Sequence, residues 1–186
     1  MTAPLTTRLL DVYRIGPGPS SSHTVGPMRA AARVREEALA DGIVPHALRV
    51  TLRGSLAATG RGHGTDRAVL AGLLGWDPAT CDVDELLALP ARLEATDGIE
   101  WGEATVPLKP QDVVFEPYRG DALPHPNTMA VDLLGPDGAV LRSETWCSVG
   151  GGFIRDAAGQ RGDDAERAAT SPPVVPFHDA KSLLRQ

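Results

Sequence analysis

The residues able to do chemistry in this sequence sit in a few glycine- and proline-rich stretches. The longest is Gly16-Pro17-Gly18-Pro19-Ser20-Ser21-Ser22-His23-Thr24-Val25-Gly26-Pro27-Met28. Two Gly-Pro pairs make it a poor helix and a poor strand, because proline lacks a donor and glycine takes unusual backbone angles. The residues after it read as a helix: Pro27 suits a first helical position, Met28, Ala31, Val34 and Ala38 recur at helical spacing, and Gly42 ends it. A loop of three serines, a histidine and a threonine therefore stands at a helix N-terminus. Unpaired N–H groups and the helix dipole there favour a carboxylate or phosphate, and the hydroxyls and imidazole add further donors. The plainer reading is that Ser22 or Thr24 caps the helix and the rest is solvated loop.

Two more histidines have similar settings. His63 lies in Gly60-Arg61-Gly62-His63-Gly64, expected to be a glycine-rich turn whose backbone can lie close to a substrate. His125 precedes Pro126 and Asn127, whose amide offers both a donor and an acceptor. With an ordinary pKa of about 6.5, histidine serves as acid or base near neutrality. Each has a structural alternative: a loop histidine is commonly a surface residue, Pro-Asn commonly starts a turn, and Gly150-Gly151-Gly152 is explained by a tight strand exit. Asp66 is expected to cap a helix, with a second role in orienting His63.

Other constellations are absent. No Gly-x-Ser-x-Gly elbow occurs, no phosphate loop ends in Gly-Lys-Ser or Gly-Lys-Thr, and Gly60-x-Gly62-x-Gly64 has the wrong spacing for a dinucleotide fingerprint. No close histidine pair suggests zinc. Cys81 and Cys147 are the only cysteines, with no Cys-x-x-Cys pair, and are expected to be free thiols rather than a disulfide. A net charge of −6 without a basic cluster argues against a nucleic-acid partner. No run of about 18 apolar residues occurs, so no membrane span is expected. Met1-Thr2-Ala3-Pro4 leads into charged sequence without the apolar core of a signal peptide, which makes the cytoplasm the expected location.

The elements that must hold these stretches are legible in outline. A chain of 186 residues with 42% hydrophobic and 23% charged residues has an ordinary globular composition and one-domain length. A first short helix is expected from Thr6 or Thr7 to Arg14. Leu48, Val50 and Leu52 alternate with Arg49, Thr51 and Arg53, predicting a half-buried strand. Thr65 or Asp66 is expected to cap a helix carrying Val69, Leu70, Leu73 and Leu74. Asp82 and Glu85 resemble a capping box for a helix from Val83 to Leu89, stopped by Pro90. From Ile99 the pattern turns to short strands: Val113-Val114-Phe115, then a hairpin pairing 128–134 with 140–149 around Gly135-Pro136-Asp137-Gly138. Residues 157–170 are polar and expected to be mobile, Ser171-Pro172-Pro173 reads as an extended linker, and a last helix is expected from Phe177 to Leu184. Without regular strand–helix alternation, the expected fold is α+β, a mixed or antiparallel sheet with helices on one face.

The stretch 18–28 resembles the signature of the iron–sulfur-dependent L-serine dehydratases (L-serine ammonia-lyases). Gly54-Ser55-Leu56 through Gly62-His63-Gly64-Thr65-Asp66, then His125-Pro126-Asn127, then Ser148-Val149-Gly150-Gly151-Gly152-Phe153 match that family in order. The resemblance is to the N-terminal or β domain and implies residues 1–156 as that domain, with 157–186 leading toward an iron–sulfur catalytic domain that this sequence lacks. An end at Gln186 set by a cut in that linker is expected. The resemblance also implies a fold similar to the allosteric substrate-binding domain of phosphoglycerate dehydrogenase. A 4Fe–4S cluster would be bound by the absent part and none by this chain, which alone is expected to be inactive. The implied reaction takes L-serine to pyruvate and ammonia. His63 and His23 are the candidate catalytic residues, and Ser20, Ser21, Ser22, Thr24, His125, Asn127 and Gly151 the candidate substrate-binding ones. A homodimer is expected. The alternative function is a serine- or anion-sensing or dimerisation domain of the same enzyme, and a preference for threonine over serine stays open.

Overall fold

The computed structural model describes residues 14–117, 120, 122–163 and 181. The expected first helix and the expected closing helix lie outside these residues, apart from Arg14 and Lys181.

Helix α1 (Val25–Ala40) buries Met28, Ala31, Val34 and Ala38, the stripe that predicts it. It starts two residues before Pro27, which is harmless because the first four helical N–H groups have no partner within the helix. Asp41 closes it and Gly42 follows with φ +68°. Strand β1 (Ala47–Gly54) turns Leu48, Val50 and Leu52 inward and Arg49 outward, as alternation requires.

The next segment departs from expectation. Residues Ser55–His63 are helix α2, so of the turn expected at Gly60–Gly64 only Gly64 lies outside the helix. Leu56 is 1% exposed and anchors the helix, Ala57 and Ala58 favour it, and the Thr59 hydroxyl donates back to the Ser55 carbonyl at 3.0 Å. Gly64, at φ +73°, ends α2 and starts α3 (Thr65–Leu73), so glycine rather than Thr65 or Asp66 occupies the cap. Asp66 accepts the Arg67 N–H at 3.0 Å instead.

Helix α4 (Val83–Glu94) has the expected cap, Asp82 accepting from Asp84 N–H and Glu85 N–H, but it runs through Pro90. Burial of Leu86, Leu89 and Leu93 along one stripe outweighs the one hydrogen bond that proline removes. Lys109 Nζ then donates to the carbonyls of Leu93 and Glu94 in the last turn and of Thr96 just beyond it, at 3.0, 3.1 and 2.6 Å.

Strands β2 (Ile99–Trp101) and β3 (Ala104–Val106) form a small hairpin, tied to the body by Trp101 Nε1–H donating to the Ile43 carbonyl at 2.9 Å. After a 3-10 turn, β4 (Val113–Phe115), β5 (Asn127–Leu134), β6 (Val140–Ser148) and β7 (Ile154–Asp156) complete the main sheet, in the order β4-β1-β5-β6-β7. Among the described strands of this sheet only β1 and β4 pair in parallel. The fold is therefore α+β with a mixed sheet. Val50 pairs with Val131, and Leu52 with Met129, which pairs in turn with Trp146. This apolar face meets the helices in one core, where burying each large side chain contributes about 1.5–3 kcal/mol. Helices α1 and α3 approach closely because a side chain at Gly72 would fall on the Met28 carbonyl. No helix among the described residues is long and apolar enough to cross a membrane.

Candidate functional site

Three strand ends meet at one end of the sheet: the end of β1, the start of β5 and the end of β6. Gly54 is paired with Asn127 and Thr128 with Cys147. The start of α1 closes the group, since a Cβ on Gly26 would fall on the Ser148 hydroxyl. Gly54 has φ +58° and ψ −128°, which only glycine takes readily, and a Cβ there would fall on the Pro126 carbonyl. That carbonyl accepts the Ser55 N–H at 2.7 Å, turning the chain abruptly from β1 into α2. Ser55 and Thr59, one helical turn apart, then both reach His23.

His23 is 8% exposed and ringed by hydroxyls. Its Nδ1 lies 3.1 Å from Ser22 Oγ and 3.4 Å from Ser20 Oγ. Its Nε2 lies 3.1 Å from Ser55 Oγ and 3.0 Å from Thr59 Oγ1. Ser20 Oγ and Ser22 Oγ are 3.2 Å apart. Burial, and then the charge of neighbouring His63, push the pKa of His23 below its ordinary value, with a hydrogen bond to Ser55 opposing. That favours the neutral ring of His23 near neutrality.

His63 ends α2. Its Nδ1–H donates to the Thr59 carbonyl at 2.9 Å, which leaves the Nε2 lone pair available in the neutral ring. The two imidazoles stack, with centroids 4.6 Å apart and planes tilted by 34°. Thr59, and not Asp66, orients His63.

Neither Ser22 nor Thr24 caps α1 through its side chain. Ser22 faces His23, and the Thr24 hydroxyl donates to the Ser20 carbonyl at 2.9 Å, tightening the serine loop. Ser21 enters through its carbonyl, which accepts the Gly26 N–H at 2.9 Å. On the β5 side, Asn127 N–H donates to His125 Nδ1 at 3.0 Å and Asn127 Nδ2 to the Ser148 carbonyl at 3.2 Å. Burial and then the charge of Arg155 push the His125 pKa down. Gly151 lies in the turn after β6 at φ +56°, and the Gly152 carbonyl accepts from Arg29 Nη1 at 2.9 Å. The structure thus gathers Ser20, Ser22, His23 and His63 into one cluster. His125 and Asn127 form a second group, joined to the first through Pro126 and Ser55.

Sequence reading misses Ser55 and Thr59 as partners of the histidines. Their signal, four-residue spacing from Ser55 to Thr59 to His63, means something only once the segment is a helix. It also misses Arg29, whose guanidinium pairs bidentately with Asp163 at 2.7 Å on both oxygens. Asp163 accepts the Ile154 N–H at 2.8 Å as well, so this residue of the segment expected to be mobile bonds to both α1 and β7.

Among the described residues the donor set does not fit a four-iron cluster. No three His, Cys, Asp or Glu side chains gather as a metal site among the described residues. Burial raises the pKa of both Cys81 and Cys147, which disfavours the thiolate that iron ligation needs.

The family model described as serine dehydratase beta chain matches residues 8–159. The chain is 41% identical over 188 residues to an L-serine dehydratase of Mycobacterium bovis, covering 97% of this chain and 39% of that protein. It is 40% identical to an L-serine dehydratase of Streptomyces coelicolor, over 95% of this chain and 39% of that protein. It is 35% identical to L-serine dehydratase 1 of Escherichia coli, over 95% and 38%. The chain spans about two fifths of the length of the curated relatives it matches.

Proposed function

The chain belongs to the serine dehydratase β-chain family, and on that premise we propose that it supplies the substrate-facing wall of an L-serine ammonia-lyase. The observation that carries this reading is the cluster itself. Stretches far apart in sequence deliver two stacked histidines, one buried among hydroxyls and one whose Nδ1–H donates to the Thr59 carbonyl, at one sheet end.

In this reading the serine loop before α1 and Asn127 hold the amino acid by its carboxylate and amino groups. His63 Nε2 takes the α-proton and hands it to the β-hydroxyl as the C–O bond breaks, so that the hydroxyl leaves as water and the imidazole returns to its neutral form. The resulting enamine tautomerises and is hydrolysed to pyruvate and ammonia. His23 stays neutral beside His63, so a proton arriving on His63 meets no second charge in the stack. The iron–sulfur part that the resemblance implies belongs to the rest of the complete enzyme, and the roles assigned to this chain are binding and proton transfer.

The test is pyruvate formation from L-serine, anaerobically with iron and sulfide supplied. It compares this chain, the cysteine-rich partner part, and the two together. Activity only in the mixture is expected, and His63→Gln is expected to lower turnover by about 10²–10⁴-fold, the worth of a general base. Full activity from the partner alone would remove this chain from catalysis and leave a regulatory or assembly role.

A further inference from the structure

We propose that Thr59 is a positioning residue that fixes the protons of both histidines in opposite tautomers, His23 on Nε2 and His63 on Nδ1. Its value to turnover rests on the catalytic reading above, whereas the tautomers themselves do not. The geometry is specific. The Thr59 side chain has a single hydroxyl proton, and it donates to the Ser55 carbonyl one turn back, at 3.0 Å. Oxygen Oγ1 can then only accept at its 3.0 Å contact with His23 Nε2, so that nitrogen carries the proton. His23 Nδ1 is left with its lone pair toward Ser22 Oγ, which donates to it at 3.1 Å. The Thr59 carbonyl acts separately, accepting from His63 Nδ1 at 2.9 Å and leaving His63 Nε2 unprotonated.

Thr59 sits four residues from Ser55 and four from His63, so a single helical turn on each side links it to both partners. Ser55 cannot replace it. The Ser55 Oγ has no such carbonyl holding its proton, so it serves His23 Nε2, 3.1 Å away, either as donor or as acceptor.

Nitrogen-15 NMR of the full 186-residue chain at about pH 7.5, above the ordinary histidine pKa, reads the tautomers directly, with Thr59→Val and Thr59→Ser compared. In the unaltered chain His23 is expected to show protonated Nε2 and His63 protonated Nδ1. Thr59→Val removes the hydroxyl but keeps the carbonyl, so His23 should become a mixture of tautomers while His63 stays unchanged. Thr59→Ser should restore the original His23 pattern. A Nδ1-protonated His23 in the unaltered chain, or the same His23 pattern in Thr59→Val, overturns the proposal without needing any variant to be active. In the assembled enzyme Thr59→Val is expected to lower kcat about 10-fold with KM nearly unchanged, a part of what a general base contributes. A tautomer change with unaltered turnover would keep the positioning role and count against the catalytic reading alone.

Discussion

Protonation of His23 is opposed first by burial and then by His63, and protonation of His125 by burial and then by Arg155. Their folded-state pKa values therefore lie below about 6.5, and the unfolded chain takes up protons first as pH falls. Their contribution to stability is complete above about pH 6.5 and is lost as pH falls through the lowered values. Burial works against ionisation of Asp156 and Asp163 too, but hydrogen bonds from Arg161 and Gln160 N–H to one, and from Arg29 and Ile154 N–H to the other, hold both below the usual carboxylate range. That second contribution is present above about pH 3.9 and is lost further into acid. Urea midpoints should fall in one step below about pH 6.5 and in a second below about pH 3.9, and the double variant His23→Gln, His125→Gln should flatten the first. A first step of unchanged size in that variant would contradict the assignment.

Helix α2 is the element on which sequence and structure differ most usefully. Its two internal glycines have opposite surroundings. Gly62 has open space where a Cβ would go, while a Cβ on Gly60 would press on Thr65 and the Phe115 ring at 3.0–3.1 Å. Gly62→Ala should therefore stabilise the chain by about 0.5–1 kcal/mol through helix propensity, and Gly60→Ala should gain nothing or lose stability. Thermal melts of the two variants check this, and equal shifts would contradict the packing argument. Reading Gly60–Gly64 as a turn rests on composition alone. The helix wins because Leu56 enters the core, Thr59 bonds back to Ser55, and Gly64 ends it in the left-handed conformation. Pro90 in α4 makes the same point, since a stripe of three buried leucines overrides a local breaker. Strand β1 and the β5–β6 hairpin were legible because alternation and turn residues are local signals.

Among the described residues, one ion pair closes the fold over the longest span. Arg29 in α1 and Asp163 beyond β7 are 134 residues apart, with side chains 29% and 11% exposed. Asp163→Ala leaves the Arg29 guanidinium without its carboxylate and the Ile154 N–H without its acceptor. Because Arg29 retains some solvent, the expected cost is about 2–3 kcal/mol, below that of a fully buried pair. Chemical denaturation measures it, and an unchanged midpoint would show that the pair does not hold this end of the chain. By itself the sequence determined the family, the mixed α+β character, the strand pattern and the histidine-bearing stretches, all carried by local periodicity or contiguous motifs. Only the tertiary structure decided which residues meet. His23 finds Ser55 and Thr59 across 32 and 36 residues because the β1–β5 register places Gly54 opposite Asn127 and the absence of a side chain at Gly26 lets α1 settle against Ser148. Such contacts leave no local spacing to read, since sheet register and helix packing set them after the elements have formed.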